Sequence, residues 1–178
     1  ATIRRQRQMC IRDRYWPIRP LATCTVWLAI DDANVENGCL RFIKGSHKEK
    51  KLKSHNINDN KNLTLNQELD ESEYNEKDAV NLILKRGQIS LHDVYLVHGS
   101  EANNSSMARR AVTMRFMPTS SVFDHQMVKD KNLFSKLNAS KYQDRKIYHM
   151  RGEDISGKNN LTYILSLIHI SEPTRHRR

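Results

Sequence analysis

Residues 87–116, GQISLHDVYLVHGSEANNSSMARRAVTMRF, constrain the fold of this chain more than any other stretch. Ala111, Thr113 and Arg115 fall on one face of an extended segment, and Val112, Met114 and Phe116 on the other. A side-chain period of two with one wholly apolar face marks a strand and argues against a helix. Upstream, Gly87 supplies a tight turn. Two short apolar runs follow it, the second ending as a strand on His98, just before Gly99 and Ser100. Arg109 comes eleven residues after His98, where the next strand begins. A neutral imidazole is a good ligand for Fe(II) or Zn(II). A buried guanidinium can hold a carboxylate through two parallel hydrogen bonds. Delivered to the same end of a β-sandwich, His98 and Arg109 could hold a metal and an anionic cosubstrate side by side.

The rest of the chain repeats this short, turn-bounded pattern. Strands are expected near 22–30, 39–43, 79–84, 89–92, 94–98 and 110–117, with helix mainly outside them. Short alternating strands separated by Gly, Asn and Asp turns predict a β-sandwich. Pro17 and Pro20 in YWPIRP forbid a regular helix or a central strand there. Residues 48–78 are polar throughout and read as a surface insertion with one short helix. Residues 118–163 read as loop and helix. His92 lies six residues before His98, so one unbroken strand would point both to the same face. A structural histidine is the simpler reading of His92, and a loop residue that of His47.

A chain of 178 residues suffices for one domain with a sizeable core. Its net charge of +10 would suggest a nucleic-acid partner, but the charge is unevenly placed. Residues 1–14 carry five Arg and one Asp, or +4, and residues 165–178 three Arg and one Glu, or +2. That leaves +4 for residues 15–164, so no nucleic-acid partner is expected. QMCIRDR and SLIHISEPTR, within those ends, are similar to peptides made by translating sequencing-adapter DNA. Residues 1–14 and 165–178 are therefore read as non-native ends that pack poorly, and 15–164 as a partial domain. Cys24 and Cys39 lack the spacing of a metal site or disulfide framework and read as free buried thiols. No apolar run approaches the ~18 residues of a membrane span. No membrane partner is expected, and a cytoplasmic location is. The Asn-x-Ser/Thr sequons read as chance in an Asn-rich chain.

Three segments carry a family resemblance. HGSEANNSSMAR (98–109) is similar to HGSGxNxSxxxR, the C-terminal signature of the phytanoyl-CoA dioxygenase family. VWLAIDDANVENGCLRFIKGSHK (26–48) is similar to that family's xWxALDDxxxENGCLxxxPGSHK, and MRGEDISGKN (150–159) resembles its xRGxDxxG tail. With the Tyr15-Trp16 pair, which also matches, the resemblance covers about residues 15–160. The resemblance implies a mainly β fold, a double-stranded β-helix (jelly roll, cupin-like) with peripheral helices, incomplete at the N-terminus. It implies an Fe(II)- and 2-oxoglutarate-dependent dioxygenase acting on a small-molecule or acyl substrate. By resemblance His98 is the distal metal ligand. Arg109 and Ser100 take the far carboxylate of 2-oxoglutarate, and Trp27 lines the cosubstrate pocket, although a plain core Trp is equally open. The family's 48–78 equivalent lies over the active-site mouth.

The departures are specific. Glu101 stands where the family has Gly, and Lys44 where it has Pro. The family's metal motif His-x-Asp precedes its Tyr-Trp pair, in the form HQDxxYW. Counting back from Tyr15, the His falls on Cys10 and the Asp on Arg12, with Asp13 one place out of register. The expectation is an oxygenase fragment that is inactive as written. A noncatalytic jelly-roll binding module stands as the alternative. With the acid missing, hydroxylase and halogenase chemistry both remain open.

Overall fold

The computed structural model describes residues 8–10, 16–51, 53, 55–57, 67–127 and 144–163. Its strands are β1 (Gln8–Cys10), β2 (Ile18–Arg19), β3 (Cys24–Ala29), β4 (Leu40–Ile43), β5 (His55–Ile57), β6 (Gln67–Leu69), β7 (Ala79–Leu82), β8 (Ile89–Asp93), β9 (His98–Ser100), β10 (Ala111–Phe116), β11 (Val122–Phe123), β12 (Ile147–His149) and β13 (Leu161–Tyr163). Among the described residues the helical elements are 3-10 turns at Ser46–Glu49, Glu71–Glu73 and Glu76–Asp78. The chain divides into two units, one holding residues up to Trp16 and 21–118, the other 17–20 and 119 onward.

The first unit is a sandwich of two antiparallel sheets, ordered β1-β9-β4-β7 and β10-β3-β8. In β3, Thr25, Trp27 and Ala29 are buried, while the residues between them are half-buried. Their register partners are Arg115, Thr113 and Ala111 on β10, and His92 and Ser90 on β8. Directly paired residues share a face, so this row looks into the sandwich. Trp27, Ala29, Ala33, Cys39 and Leu84 form the core there, with Leu40 and Leu82 packed against them from the opposing sheet. The apolar face of β10 is the outer one. Val112, Met114 and Phe116 are exposed, as are Ile89 and Leu91 on β8.

The strand expected at 94–98 is absent. Asp93 ends β8 by accepting a hydrogen bond from Tyr95 N through Oδ1, at 2.8 Å, and Leu96 N donates to its carbonyl at 3.1 Å. An Asx turn of this kind competes with a strand for the same backbone. Val94 and Val97 are fully buried, so their apolar pattern reflects burial rather than pairing. His98 consequently opens β9 instead of closing a strand. His92 and His98 lie on opposite sheets, not along one continuous strand.

Of the ends read as non-native, residues 8–10 form β1, which pairs with β9; residues 1–7 and 11–15, like 164–178, lie outside the described residues. In the insertion, Leu69 and Tyr74 pack with Ile43 and Val97. Ile43 alternates with Phe42 on β4, so this cluster packs on the outer face of that strand. The described part of the insertion is a buttress. Asp70 and Asn75 start its 3-10 turns by accepting from Ser72 N and Lys77 N.

In the second unit, β2 pairs antiparallel with β11, and β12 pairs parallel with β13. Here the described part of 118–163, expected as loop and helix, consists of β11, β12, β13 and turns; residues 128–143 lie outside the described residues. Asp154 accepts hydrogen bonds from Ser156 and Asn159, and Asn159 Oδ1 accepts from Phe123 N at 2.9 Å. The tail motif is thus a turn that anchors β11. Because Leu69 is 2 % exposed within the buttress cluster, Leu69→Ala should cost about 2–4 kcal/mol in urea unfolding. A loss under 0.5 kcal/mol would show that the insertion is not part of the core.

Candidate functional site

His98 sits between two strands, register-paired with Phe42 on β4 and with position 10 on β1. Its Nδ1 lies 2.8 Å from Leu96 O. A carbonyl only accepts, so Nδ1 is the protonated nitrogen, and in the neutral ring Nε2 is then the one with the lone pair that a metal ligand requires. The ring lies 6.1 Å from Phe42 and 5.1 Å from His92, centroid to centroid. His92 reaches it from the facing sheet, with its own ring 5.4 Å from Phe42.

From His98 the chain runs through Ser100 and a loop to Arg109. Ser100 is on the same face of β9 as His98 and pairs with Leu40, which packs on the Trp27–Cys39 cluster. Asn103 builds the loop. Its Oδ1 accepts from Ser105 N and Oγ, both at 2.9 Å, and its Nδ2 donates to Met107 O at 2.7 Å. Ser105 Oγ in turn accepts from Met107 N at 3.1 Å. The Asn-x-Ser spacing therefore shapes the path from histidine to arginine. The 31–38 turn supports this loop from below. A Cβ on Gly38, whose φ is +76°, would fall 2.5 Å from Glu101 O, and Asn104 N donates to Glu36 O at 3.1 Å.

Arg109 is partly buried, and its Nε has no hydrogen-bond partner among the described residues. Burial pulls the guanidinium below its ordinary pKa, opposed by the Cys39 thiol. Cys39 itself is raised by burial, with Arg109 opposing. An unpaired guanidinium Nε inside a sandwich is costly unless an anion satisfies it. Trp27, 8 % exposed, belongs to the core cluster that includes Cys39. Trp27, Ser100 and Arg109 thus gather at the Cys39 end, while His98 has the His92–Phe42 rings as neighbours. His47 lies in the Ser46–Glu49 3-10 turn.

The anion pole fits a carboxylate. The metal pole is incomplete: no group of three His, Cys, Asp or Glu placed to hold an ion occurs among the described residues. Arg12 and Asp13 lie outside them. Position 10, where the resembling family has its first histidine, is nonetheless the register partner of His98.

A model of the phytanoyl-CoA dioxygenase family matches residues 11–111, more than half of the chain. The chain belongs to the phytanoyl-CoA dioxygenase family. It is 37% identical over 100 residues to a phytanoyl-CoA dioxygenase domain-containing protein 1 homolog of Dictyostelium discoideum, covering 55% of this chain and 36% of that one. It is 31% identical over 109 residues to the human peroxisomal phytanoyl-CoA dioxygenase, covering 57% and 30%. The chain thus spans about a third of the length of these relatives. EvdO2 of Micromonospora carbonacea, solved with 2-oxoglutarate, superposes with a TM-score of 0.52 at 25% identity, covering 62% of this chain and 44% of that one. The non-heme monooxygenase ThoJ shares the fold, with a TM-score of 0.52 at 21% identity over 65% of this chain and 40% of that one. The fold is the mainly β, cupin-like one of 2-oxoglutarate oxygenases.

Sequence reasoning missed Phe42, Gly38, Asn103 and Asp31. The Asn-x-Ser and Asn-Gly spacings could have exposed two of them; Phe42 needed the register. Asp31 accepts from Arg110 N, Nε and Nη2 at 2.8, 2.8 and 2.7 Å. Those side-chain bonds, then the backbone bond, hold its carboxyl at about 2. An unfolded Asp titrates near ~3.9. The folded value is the lower one, so this pair stabilises the fold fully above about pH 4 and is lost as the pH falls towards 2. Urea midpoints measured across that window should fall less steeply for Asp31→Asn than for the parent chain. Parallel curves would show that the pair is not formed in solution.

Proposed function

We propose that this chain carries the cosubstrate-binding part of an Fe(II)- and 2-oxoglutarate-dependent dioxygenase, a hydroxylase in the first reading. The observation that carries it is the partly buried Arg109, whose guanidinium Nε is buried and unpartnered, joined to His98 by a hydrogen-bonded loop. Arg109 would take the far carboxylate of 2-oxoglutarate in a bidentate, charge-assisted contact, with Ser100 beside it. Trp27 and the core around Cys39 would exclude water from that contact, strengthening it. His98 would offer Nε2 to Fe(II). Bound iron with its cosubstrate supplies the oxidation of an unactivated C–H bond, chemistry beyond any side chain here. The family and the likeness to EvdO2, solved with 2-oxoglutarate, support this reading.

The chain as written lacks two of the three ligands such iron needs, because Cys10 and Arg12 stand where His-x-Asp would. A histidine at position 10 would start directly across from His98, in a geometry where paired Cβ atoms lie ~5 Å apart. Fe(II)-dependent succinate release from 2-oxoglutarate should be undetectable for this chain. It should appear when Cys10→His and Arg12→Asp are combined with a restored upstream region of the parent. Release by the chain as written would refute the missing-ligand argument. A restored protein that binds 2-oxoglutarate but stays inactive across a broad small-molecule and acyl substrate panel would favour the noncatalytic binding module.

A further inference from the structure

Arg109 and Arg110 are consecutive and chemically identical, yet they have opposite fates. Arg109 turns into the sandwich and is partly buried, whereas the Arg110 side chain is 72% exposed. Successive residues of an extended chain point to opposite sides, so a slip of one residue would exchange them. Nothing in the two side chains opposes that exchange. We propose that Asp31 is a positioning residue that sets this register, binding Arg110 on the outside and so committing Arg109 to the interior. The proposal rests on the functional reading above only for what Arg109 then binds.

Five hydrogen bonds converge on Arg110, and every one involves residue 30 or 31. Three run from its N, Nε and Nη2 to the Asp31 carboxylate. Its carbonyl accepts from Ile30 N at 3.0 Å and from Asp31 N at 3.4 Å. A bidentate fork combined with a backbone N–H to the same carboxylate recognises one arginine at one position. β10 starts at the next residue, so Arg110 is the joint between loop and strand. Arg109, by contrast, has an Nε with no partner among the described residues to hold its direction. Its aim is set by its backbone, and its backbone by its neighbour. The pair persists at neutral pH, because the Asp31 carboxyl titrates near 2.

Asp32 provides an internal control. It accepts from Lys85 Nζ at 3.0 Å and from Arg86 N at 2.8 Å, an exposed pair one residue away that does not touch β10. The test uses the full chain, 15N-labelled, with the Arg109 Nε–H resonance assigned by its loss in Arg109→Lys. Hydrogen exchange at that group, affinity for 2-oxoglutarate and Tm are measured together. In Asp31→Asn and Arg110→Lys, the Arg109 Nε–H should lose its protection and 2-oxoglutarate affinity should fall by about tenfold or more. Asp32→Asn should change neither, even if its Tm drops as far. The exchange Asp31→Arg with Arg110→Asp should recover protection, since the two side chains trade places outside the sandwich. Protection retained in Asp31→Asn overturns the proposal, as does an equal loss in Asp32→Asn. If the parent chain binds no 2-oxoglutarate, the functional reading fails, while the exchange rate of Arg109 still decides the positioning role. If Asp31→Asn does not fold, Arg110→Lys and the exchange variant carry the decision.

Discussion

The turn at 31–38 is the constraint on which the first unit depends. Asp31 binds the start of β10, and Asp32 binds the turn between β7 and β8. Asn34 and Asn37 close the turn on themselves, each side chain accepting from the other's backbone N–H at 2.8 and 3.0 Å. Gly38 then brings the chain within touching distance of the Glu101 carbonyl, where no other residue would fit. Eight residues thereby tie three separate segments to one point. Such a turn must carry short polar side chains and a glycine at positive φ. DDANVENG meets that requirement at nearly every position.

With the turn in place, the two poles of the interior follow from strand geometry. β9 is only three residues long, yet it lies between β1 and β4 and is paired on both sides. A strand held from both sides fixes the rotation of its side chains, and the Leu96 carbonyl then fixes which nitrogen of His98 is left open. At the other end the chain must turn back to begin β10. The Asn103–Ser105 hydrogen bonds spend the loop's polar groups on its own backbone, so the arginine after it is not consumed by local structure. An unpaired interior guanidinium is destabilising for the empty fold, by about 1–3 kcal/mol for a lost hydrogen bond. A bound anion would offset that cost.

Much of this was legible from residues alone, and what was not has a physical explanation. Period-two alternation located β3, β4, β7, β8 and β10 to within one or two residues. It failed at 94–97, where Val94 and Val97 are apolar because they are buried in a turn, and hydropathy cannot separate burial from pairing. Ser100 and Arg109 were singled out by motif spacing, but spacing says nothing of direction. That His92 meets His98 across the sandwich, not along a strand, required the sheet order. Phe42 was invisible for the same reason, since its part comes from a register 56 residues away from His98 in sequence. The family itself was legible in three motifs, because each includes a turn or loop whose residue types are set by backbone geometry.

The departure at Glu101 shows how the fold keeps an extra carboxylate away from the interior. A carboxylate two residues from Gly99 and three from His98 could have disturbed both poles of the interior. Instead Arg41 donates to Glu101 and also pairs with Glu76 of the insertion. Arg41 alternates with Leu40 and Phe42 on β4, so it projects from the face opposite the candidate site. That outer face also carries Ile43, which packs with Leu69 and Tyr74 of the insertion. Each strand of this sheet thus has one face answering to the interior chemistry and one to the insertion. Changes in the insertion can be matched by changes on the outer face, as Glu76 and Glu101 are matched by one arginine, without moving His98. These pairs are partly buried, and Arg41 neutralises both carboxylates on that face. The period of two that first marks these strands in the sequence is therefore also what separates the face of β4 that looks inward from the face that meets the insertion.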